Sequence, residues 1–97
     1  MTLASTLVPK RTTAVAWQTI DSELVLLRID ADELMGVNEV GARIWELADG
    51  TRSIEEIARD LAATFDVPEP TAFDDASRFL EDLVKLDAIE LLSGVRP

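Results

Sequence analysis

The chain has 97 residues, of which 47% are hydrophobic, which suffices for one domain with a modest core. Nineteen acidic and nine basic residues give a net charge of −10, which argues against nucleic acid as a partner because phosphate binding needs clustered Lys and Arg. Residues 1–10 lack the pattern of a secretory signal, and no apolar run approaches the roughly 20 residues of a membrane span. Without cysteine there are no disulfides or thiolate metal sites, so we expect a cytoplasmic protein.

The first part of the chain is predicted to form three short strands. Residues 1–13 mix small polar and apolar types and are interpreted as a flexible or loosely docked arm. Strands are predicted at residues 14–20, 24–29 and 33–37, with polar turns between them, and the first two form a hairpin. Gly36, inside the third strand, indicates a bulge or the close approach of another backbone.

A short helix is predicted directly after the third strand. Asn38 is suited to be its N-cap, and Gly50 lies where a left-handed residue would stop it. Gly41 in the first turn breaks the helical pattern, which often marks close packing, although a tolerated surface glycine is the alternative. Trp45 is assigned to the core or to helix packing rather than to binding.

Two further helices and a closing strand complete the predicted elements. Ser53 and Glu56 have the spacing of a capping box at the start of the second helix. Thr71 is taken as the cap of the third helix, residues 88–92 as a short strand, and residues 93–97 as a tail. Strands followed by helices predict an α+β domain over residues 14–92, with a three-stranded antiparallel sheet and then three helices.

The residues needed for most catalysis are missing. The sequence has no His, Cys or Tyr, which removes the usual general bases near neutral pH and most covalent nucleophiles. The neighbouring acids Asp74 and Asp75 point in directions that differ by about 100° on a helix, so they do not share one site. Residues 30–32 begin like a calcium loop, but the ligand and the glycine that should follow are absent. We therefore expect no enzyme, no metal and no cofactor.

A DNA-binding role can be weighed by charge. The second and third predicted helices have the lengths of a helix-turn-helix. Residues 69–90 carry seven acids and two bases, which leaves −5 on the helix that would enter the groove. Phosphates would be repelled, so a helix-turn-helix shape is expected to serve another purpose.

Several pieces of this sequence resemble a known family. The pieces are Val37-Asn38-Glu39-Val40-Gly41-Ala42-Arg43-Ile44-Trp45-Glu46-Leu47, Asp49-Gly50-Thr51, Ser53-Ile54-Glu55-Glu56-Ile57-Ala58, and Phe79-Leu80 with Leu83. Together they are similar to the PqqD-like family, also called RiPP recognition elements, where RiPP denotes a ribosomally made and modified peptide. The likeness extends over about residues 15–91. Val37 replaces the leucine that the family usually has there, and an aromatic common in the third strand is replaced by Leu34 and Met35.

The resemblance implies a winged-helix-like domain without catalysis of its own. Such domains bind the leader of a precursor peptide and present it to a modifying enzyme, often a radical-SAM enzyme. The leader is expected to add as a strand to the edge of strand three, beside helix three. The implied peptide-binding residues are Glu33, Leu34, Met35, Gly36, Val37, Asp75, Arg78, Phe79, Asp82, Leu83, Lys85 and Leu86.

For some of these residues a structural role competes with a binding role. Arg78 and Lys85 share a helix face and are suited to acidic leader residues, but a solvated face with an Arg78–Asp82 pair explains them equally well. Phe79 and Leu83 are candidates for plain core. A winged-helix DNA regulator and an interaction subunit for a folded protein stay open as alternative functions. The oligomeric state, monomer or homodimer, is also open.

Overall fold

The sequence folds into alternating short strands and helices in a computed structural model, which describes residues 4–21, 23–29 and 33–93. The strands are β1 (Val8–Arg11), β2 (Val15–Ile20), β3 (Glu23–Arg28), β4 (Glu33–Val37) and β5 (Ile89–Leu92). The helices are α1 (Glu39–Leu47), α2 (Ile54–Phe65) and α3 (Glu69–Lys85).

The main sheet is antiparallel and has the strand order β2-β3-β4. With three helices after the sheet, the predicted α+β class is confirmed, whereas the comparison with a winged helix stays a prediction. Leu26 lies opposite Met35 and Val25 opposite Gly36 in a continuous register. Of the two alternatives predicted for Gly36, the bulge is therefore wrong, since it would place two residues opposite one, while the close approach of another backbone stays a prediction.

Strand β1 was not predicted, because it lies within the supposed N-terminal arm. It pairs with β5, with Val8 opposite Leu92, and Val8 and Pro9 are buried. Its partner is at the far end of the chain, so no local pattern reveals it. The packed part of the chain thus begins at β1, earlier than the residue 14 that the sequence suggested.

Arg11, the last residue of β1, ties this strand to α1. Its Nη1 donates hydrogen bonds to the backbone carbonyls of Trp45 at 2.6 Å and Glu46 at 3.0 Å. These carbonyls belong to the last turn of α1, where the helix has no basic residue of its own. Arg11 therefore supplies both the hydrogen-bond donor and the positive charge that a helix C-terminus favours.

The predicted start of α1 agrees with the structure, whereas its end comes earlier than the predicted stop at Gly50. Asn38 is the N-cap, and its Oδ1 accepts a hydrogen bond from the Gly41 amide at 2.8 Å. The C-cap is Ala48; Gly50 is left-handed as predicted, with φ +85°, but lies in the turn two residues beyond the cap and does not end the helix. Trp45 is 1% exposed, which confirms its assignment to the core.

The start of α2 was predicted correctly and the start of α3 was not. The capping box of Ser53 and Glu56 is present. Helix α3 begins at Glu69 with Pro68 as its N-cap, so the assignment of Thr71 as the cap is wrong. Pro70 fits the first turn because its φ suits a helix and its missing N–H would have no partner there.

The core lies between one face of the main sheet and the three helices. Its largest fully buried side chains come mainly from the helices, and β3 adds Leu24 and Leu26. Arg43 of α1 joins this helix to α2 through Asp60, with Nε to Oδ1 at 2.8 Å and Nη2 to Oδ2 at 2.9 Å. Within the described ranges, no helix combines the length and the apolar character that crossing a bilayer requires.

Candidate peptide-binding site

Strand β4 forms one edge of the main sheet. Among the residues that the structure describes, it pairs with β3 alone. In an antiparallel pair, alternate residues turn their N–H and C=O groups away from the partner strand. The open side of β4 therefore presents unpaired backbone groups, which form a template for another strand.

The side chains of β4 alternate between two surroundings. Met35 and Val37 face the core side, where Val37 is buried and Met35 is half-buried against the core. Leu34 and Gly36 face away from the helices and are exposed, Leu34 by 73%. Glu33 begins the strand opposite Arg28 of β3. A strand added beside β4 would continue this alternation.

Gly41 of α1 lies where β4, α1 and α3 meet. A Cβ atom at this position would be 2.5 Å from Val37 Cγ1 and 3.1 Å from Phe79 Cζ. The absence of a side chain thus lets Val37 at the end of β4 and Phe79 on α3 approach the same turn of α1. This confirms the interpretation of Gly41 as a mark of close packing.

A depression of about 360 Å³ opens beside this junction, between α1 and α3. We call it the α1–α3 depression. Its lining residues are Asn38, Val40, Gly41, Ile44, Asp75, Arg78, Phe79 and Asp82. Four of the seven residues predicted on α3 and at its end are therefore brought together, and the α1 residues opposite them were not predicted as part of a site.

The charges in the α1–α3 depression are arranged differently from the prediction. Arg78 pairs with Asp74 at 3.0 Å rather than with Asp82. Asp75 and Asp82 take part in no ion pair within the described part of the chain. The depression therefore offers two carboxylates and an arginine that is already paired.

A second, smaller depression of about 40 Å³ lies where the end of α3 approaches β4. We call it the β4 depression. Its lining residues are Val15, Leu26, Arg28, Leu34, Met35, Leu86 and Ala88. Of the five predicted residues of β4, only Leu34 and Met35 line it, together with Leu86, the C-cap of α3.

Two predicted residues of α3 lie outside both depressions. Leu83 is fully buried, at 0% exposure, and belongs to the core rather than to a groove wall. Lys85 is exposed near the end of α3. Sequence reasoning missed Val40 and Ile44, although the irregular Gly41 was a signal that this turn of α1 has a close neighbour.

The described residues contain no group of three or more His, Cys, Asp or Glu side chains that could hold a metal ion. The lining of both depressions combines apolar side chains with a few polar or charged ones. Next to an open strand edge, such surfaces are suited to an extended peptide.

Comparison with known proteins places this fold in a family. A sequence profile described as coenzyme PQQ synthesis protein D (PqqD) matches residues 23–89, from the start of β3 to the start of β5. The chain belongs to the PqqD family. The matched part contains β4, α1 and α3, and therefore most of both depressions. No match was found among curated proteins.

Two solved structures resemble this member of the PqqD family. One is described as TbiB1 in complex with the TbiA(beta) leader peptide; it is 34% identical, with a TM-score of 0.75, and the match covers 84% of this chain and 94% of that one. The other is a lasso peptide synthetase B1 complexed with the leader peptide, with 21% identity, a TM-score of 0.75, and coverage of 86% and 98%. At 21% identity, the second likeness concerns the fold alone.

Proposed function

We propose that this chain binds the leader region of a ribosomally made precursor peptide and presents it to a separate modifying enzyme. The observation that carries the proposal is the 34% identity to TbiB1, whose structure contains a leader peptide, over 84% of this chain. The sequence has no His, Cys or Tyr, so the domain is a binder and the chemistry belongs to the enzyme, for which a radical-SAM enzyme is one class.

The proposed mode of binding is addition of a strand to the open edge of β4. Alternate residues of this five-residue strand offer about four to six backbone hydrogen bonds, each worth about 0.5–1.5 kcal/mol net. One leader side chain the size of leucine, buried in a depression, adds about 1.5–3 kcal/mol. After the cost of ordering the peptide, these contributions correspond to roughly micromolar binding.

The two depressions provide the selectivity in this proposal. An apolar leader side chain that points to the core side of β4 reaches Met35 and Leu86 in the β4 depression. At the other end of the strand, the leader passes the α1–α3 depression beside Phe79, where Asp75 and Asp82 favour a basic or hydrogen-bond-donating residue. Lys85, exposed and without an ion pair in the described ranges, is placed to meet an acidic leader residue.

Binding of labelled peptides tests this function. The probes are the leader fragment and the remaining core fragment of a precursor peptide encoded beside the gene, followed by fluorescence anisotropy. We expect the leader fragment alone to bind at micromolar concentration, and the core fragment and a labelled DNA duplex not to bind. Binding that needs the complete, folded partner protein would contradict the proposal, and so would tight DNA binding that falls steeply with salt.

A further inference from the structure

The outer face of the main sheet, opposite the helices, is apolar and largely uncovered. Ile20 of β2 is 51% exposed and Leu34 of β4 is 73% exposed. A depression of about 350 Å³ lies on this face, and its lining residues are Ala16, Trp17, Gln18, Ile20, Val25, Leu27 and Leu34. None of these side chains is charged, so this outer depression is suited to an uncharged apolar group.

Gly36 leaves a gap in this face at the open edge. It lies opposite Val25 of β3 and is exposed, and a Cβ atom built on it would meet nothing within 4 Å. Its φ is not in the left-handed region, so the backbone does not require glycine there. What the glycine does provide is space beside Leu34, between Val25 and whatever pairs with β4.

We infer a second side-chain subsite on this outer face, which takes an aromatic or long apolar side chain of the same bound leader strand. This side chain lies over Gly36 and contacts Leu34 and Val25. The inference rests on the proposed strand addition at β4. It assigns to Gly36 and Leu34 a role in choosing the leader, in addition to the choice made on the helix side.

The geometry of an added strand indicates that a leader side chain occupies this subsite. Successive side chains of an added strand point to opposite faces of the sheet, so about half of the leader side chains next to β4 lie on the outer face. Neighbouring strands are about 4.8 Å apart, which places β3 about 10 Å from the added strand. A Phe, Trp or Met side chain spans much of that distance when the residue between is glycine, and aromatic side chains are known to cover glycines on neighbouring strands in this way.

The charge of the chain disfavours the other obvious occupant, a second copy. Each copy carries a formal charge of −10, and two such chains repel one another. Leu34, in contrast, belongs both to the open edge and to the outer depression. A leader strand that pairs with β4 therefore reaches this surface without any further interface.

Double-mutant cycles between protein and peptide test the subsite. The probe is the leader fragment encoded beside the gene, in which each residue is replaced by alanine in turn. Affinities are measured for wild type and for Leu34→Ala, Met35→Ala and Gly36→Val. Ile20→Ala is the control, because this residue is also apolar and exposed at the far side of the outer depression, on β2, with β3 and β4 between it and the leader and so beyond the reach of a side chain that lies over Gly36.

We expect Leu34→Ala to weaken leader binding about tenfold, because it removes the side chain that the outward leader residue contacts. Gly36→Val should weaken binding by about the same factor, because its side chain fills the space that this leader residue occupies. The loss should disappear for the peptide whose outward residue is already alanine. Leader positions coupled to Leu34 should alternate with those coupled to Met35, since the two side chains face opposite sides of β4. Ile20→Ala should bind the leader as wild type does.

The outcomes separate the two claims. If the wild-type protein binds no leader, the proposed function fails. If it binds but no peptide position couples to Leu34 or Gly36, the outer subsite is overturned while leader binding stands. An effect of Ile20→Ala as large as that of Leu34→Ala, together with a change in molecular mass in solution, would assign the face to a second copy instead.

Discussion

Phe79 of α3 packs directly over Gly41 of α1, so closely that a Cβ at Gly41 would lie 3.1 Å from Phe79 Cζ. The same atom would lie 2.5 Å from Cγ1 of Val37, the last residue of β4. The glycine thus sets the distance between the open strand edge and the helix that lines the α1–α3 depression. A change at this one position should alter both the stability of the domain and the shape of the site.

We expect Gly41→Ala to destabilise the protein by roughly 1 kcal/mol and to weaken leader binding. Overpacking against Val37 and Phe79 costs about 1–3 kcal/mol, which exceeds the gain of about 1 kcal/mol in helix propensity. Urea unfolding measures the stability. Gly36→Ala is the matched control, because its new methyl group has open space, and it should not lower the unfolding midpoint. Equal midpoints for Gly41→Ala and wild type would contradict the packing described here.

Proline substitutions on β4 should distinguish the side of the strand that pairs with β3 from the side that is open to a leader. Successive N–H groups of a strand point to opposite sides, so of Leu34→Pro and Met35→Pro one removes a donor to β3 and the other a donor on the open edge. The first variant should be clearly destabilised. The second should keep its melting temperature and lose leader affinity up to about tenfold, as expected for the loss of one backbone hydrogen bond. If the stable variant binds the leader as wild type does, strand addition at β4 is wrong.

Charge reversal at the end of α3 should affect leader binding more than the same reversal elsewhere. Lys85→Glu places a negative charge beside the proposed path of the leader, and we expect a few-fold loss of affinity that shrinks at high salt. Arg59→Glu changes the net charge by the same amount, and Arg59 is exposed on α2, where it pairs with Glu55. Binding measured at two salt concentrations compares them. A similar loss for both variants would indicate only a general charge effect.

The ion pair between α1 and α2 should be visible in the acid unfolding of the protein. Hydrogen bonds from Arg43 lower the pKa of Asp60 below its ordinary value of 3.8. A carboxyl group with a lowered folded-state pKa stabilises the protein above its unfolded pKa, and this contribution is lost as the pH falls below 3.8. Asp60→Asn should therefore cost about 0.5–1 kcal/mol at neutral pH and progressively less in acid.

Unfolding of both proteins at a series of pH values measures this difference. Asp66→Asn removes the same charge from an exposed position with φ 55°, which asparagine tolerates. This control should differ little from wild type across the range. A difference between Asp60→Asn and wild type that grows as the pH falls would contradict the assigned direction of the shift.

Most helices and strands of the fold could be predicted from local sequence signals. The capping residues Asn38 and Ser53 specify where α1 and α2 begin, because each cap satisfies amides of its own helix. Strand β1 escaped detection because it depends on pairing with β5 at the other end of the chain. The start of α3 was misplaced because Thr71 is a residue type that commonly caps helices, whereas the helix already begins at Glu69 and accommodates Pro70 in its first turn.

The site was less predictable than the fold. The edge at β4 was indicated by the family resemblance, which places the leader beside strand three, and the strand order β2-β3-β4 agrees with it. The resemblance to a known family, together with helical spacing, indicated Asp75, Arg78 and Phe79. The contribution of α1 did not follow, because the contact between Gly41 and Phe79 depends on how two helices pack. The partner of Arg78 was also missed, since Asp74 and Asp82 lie at equivalent spacings on either side of it and the sequence does not distinguish them.

An NMR titration of isotopically labelled protein with the leader fragment tests the central claim most directly, because every backbone amide reports separately. We predict that the largest shifts fall in β4 and along α3 from Asp75 to Leu86, with smaller shifts in the first turn of α1 and none on the exposed face of α2. Saturable shifts confined to α2 or to β1 and β5, with β4 unchanged, would show that the leader binds elsewhere and would contradict the account.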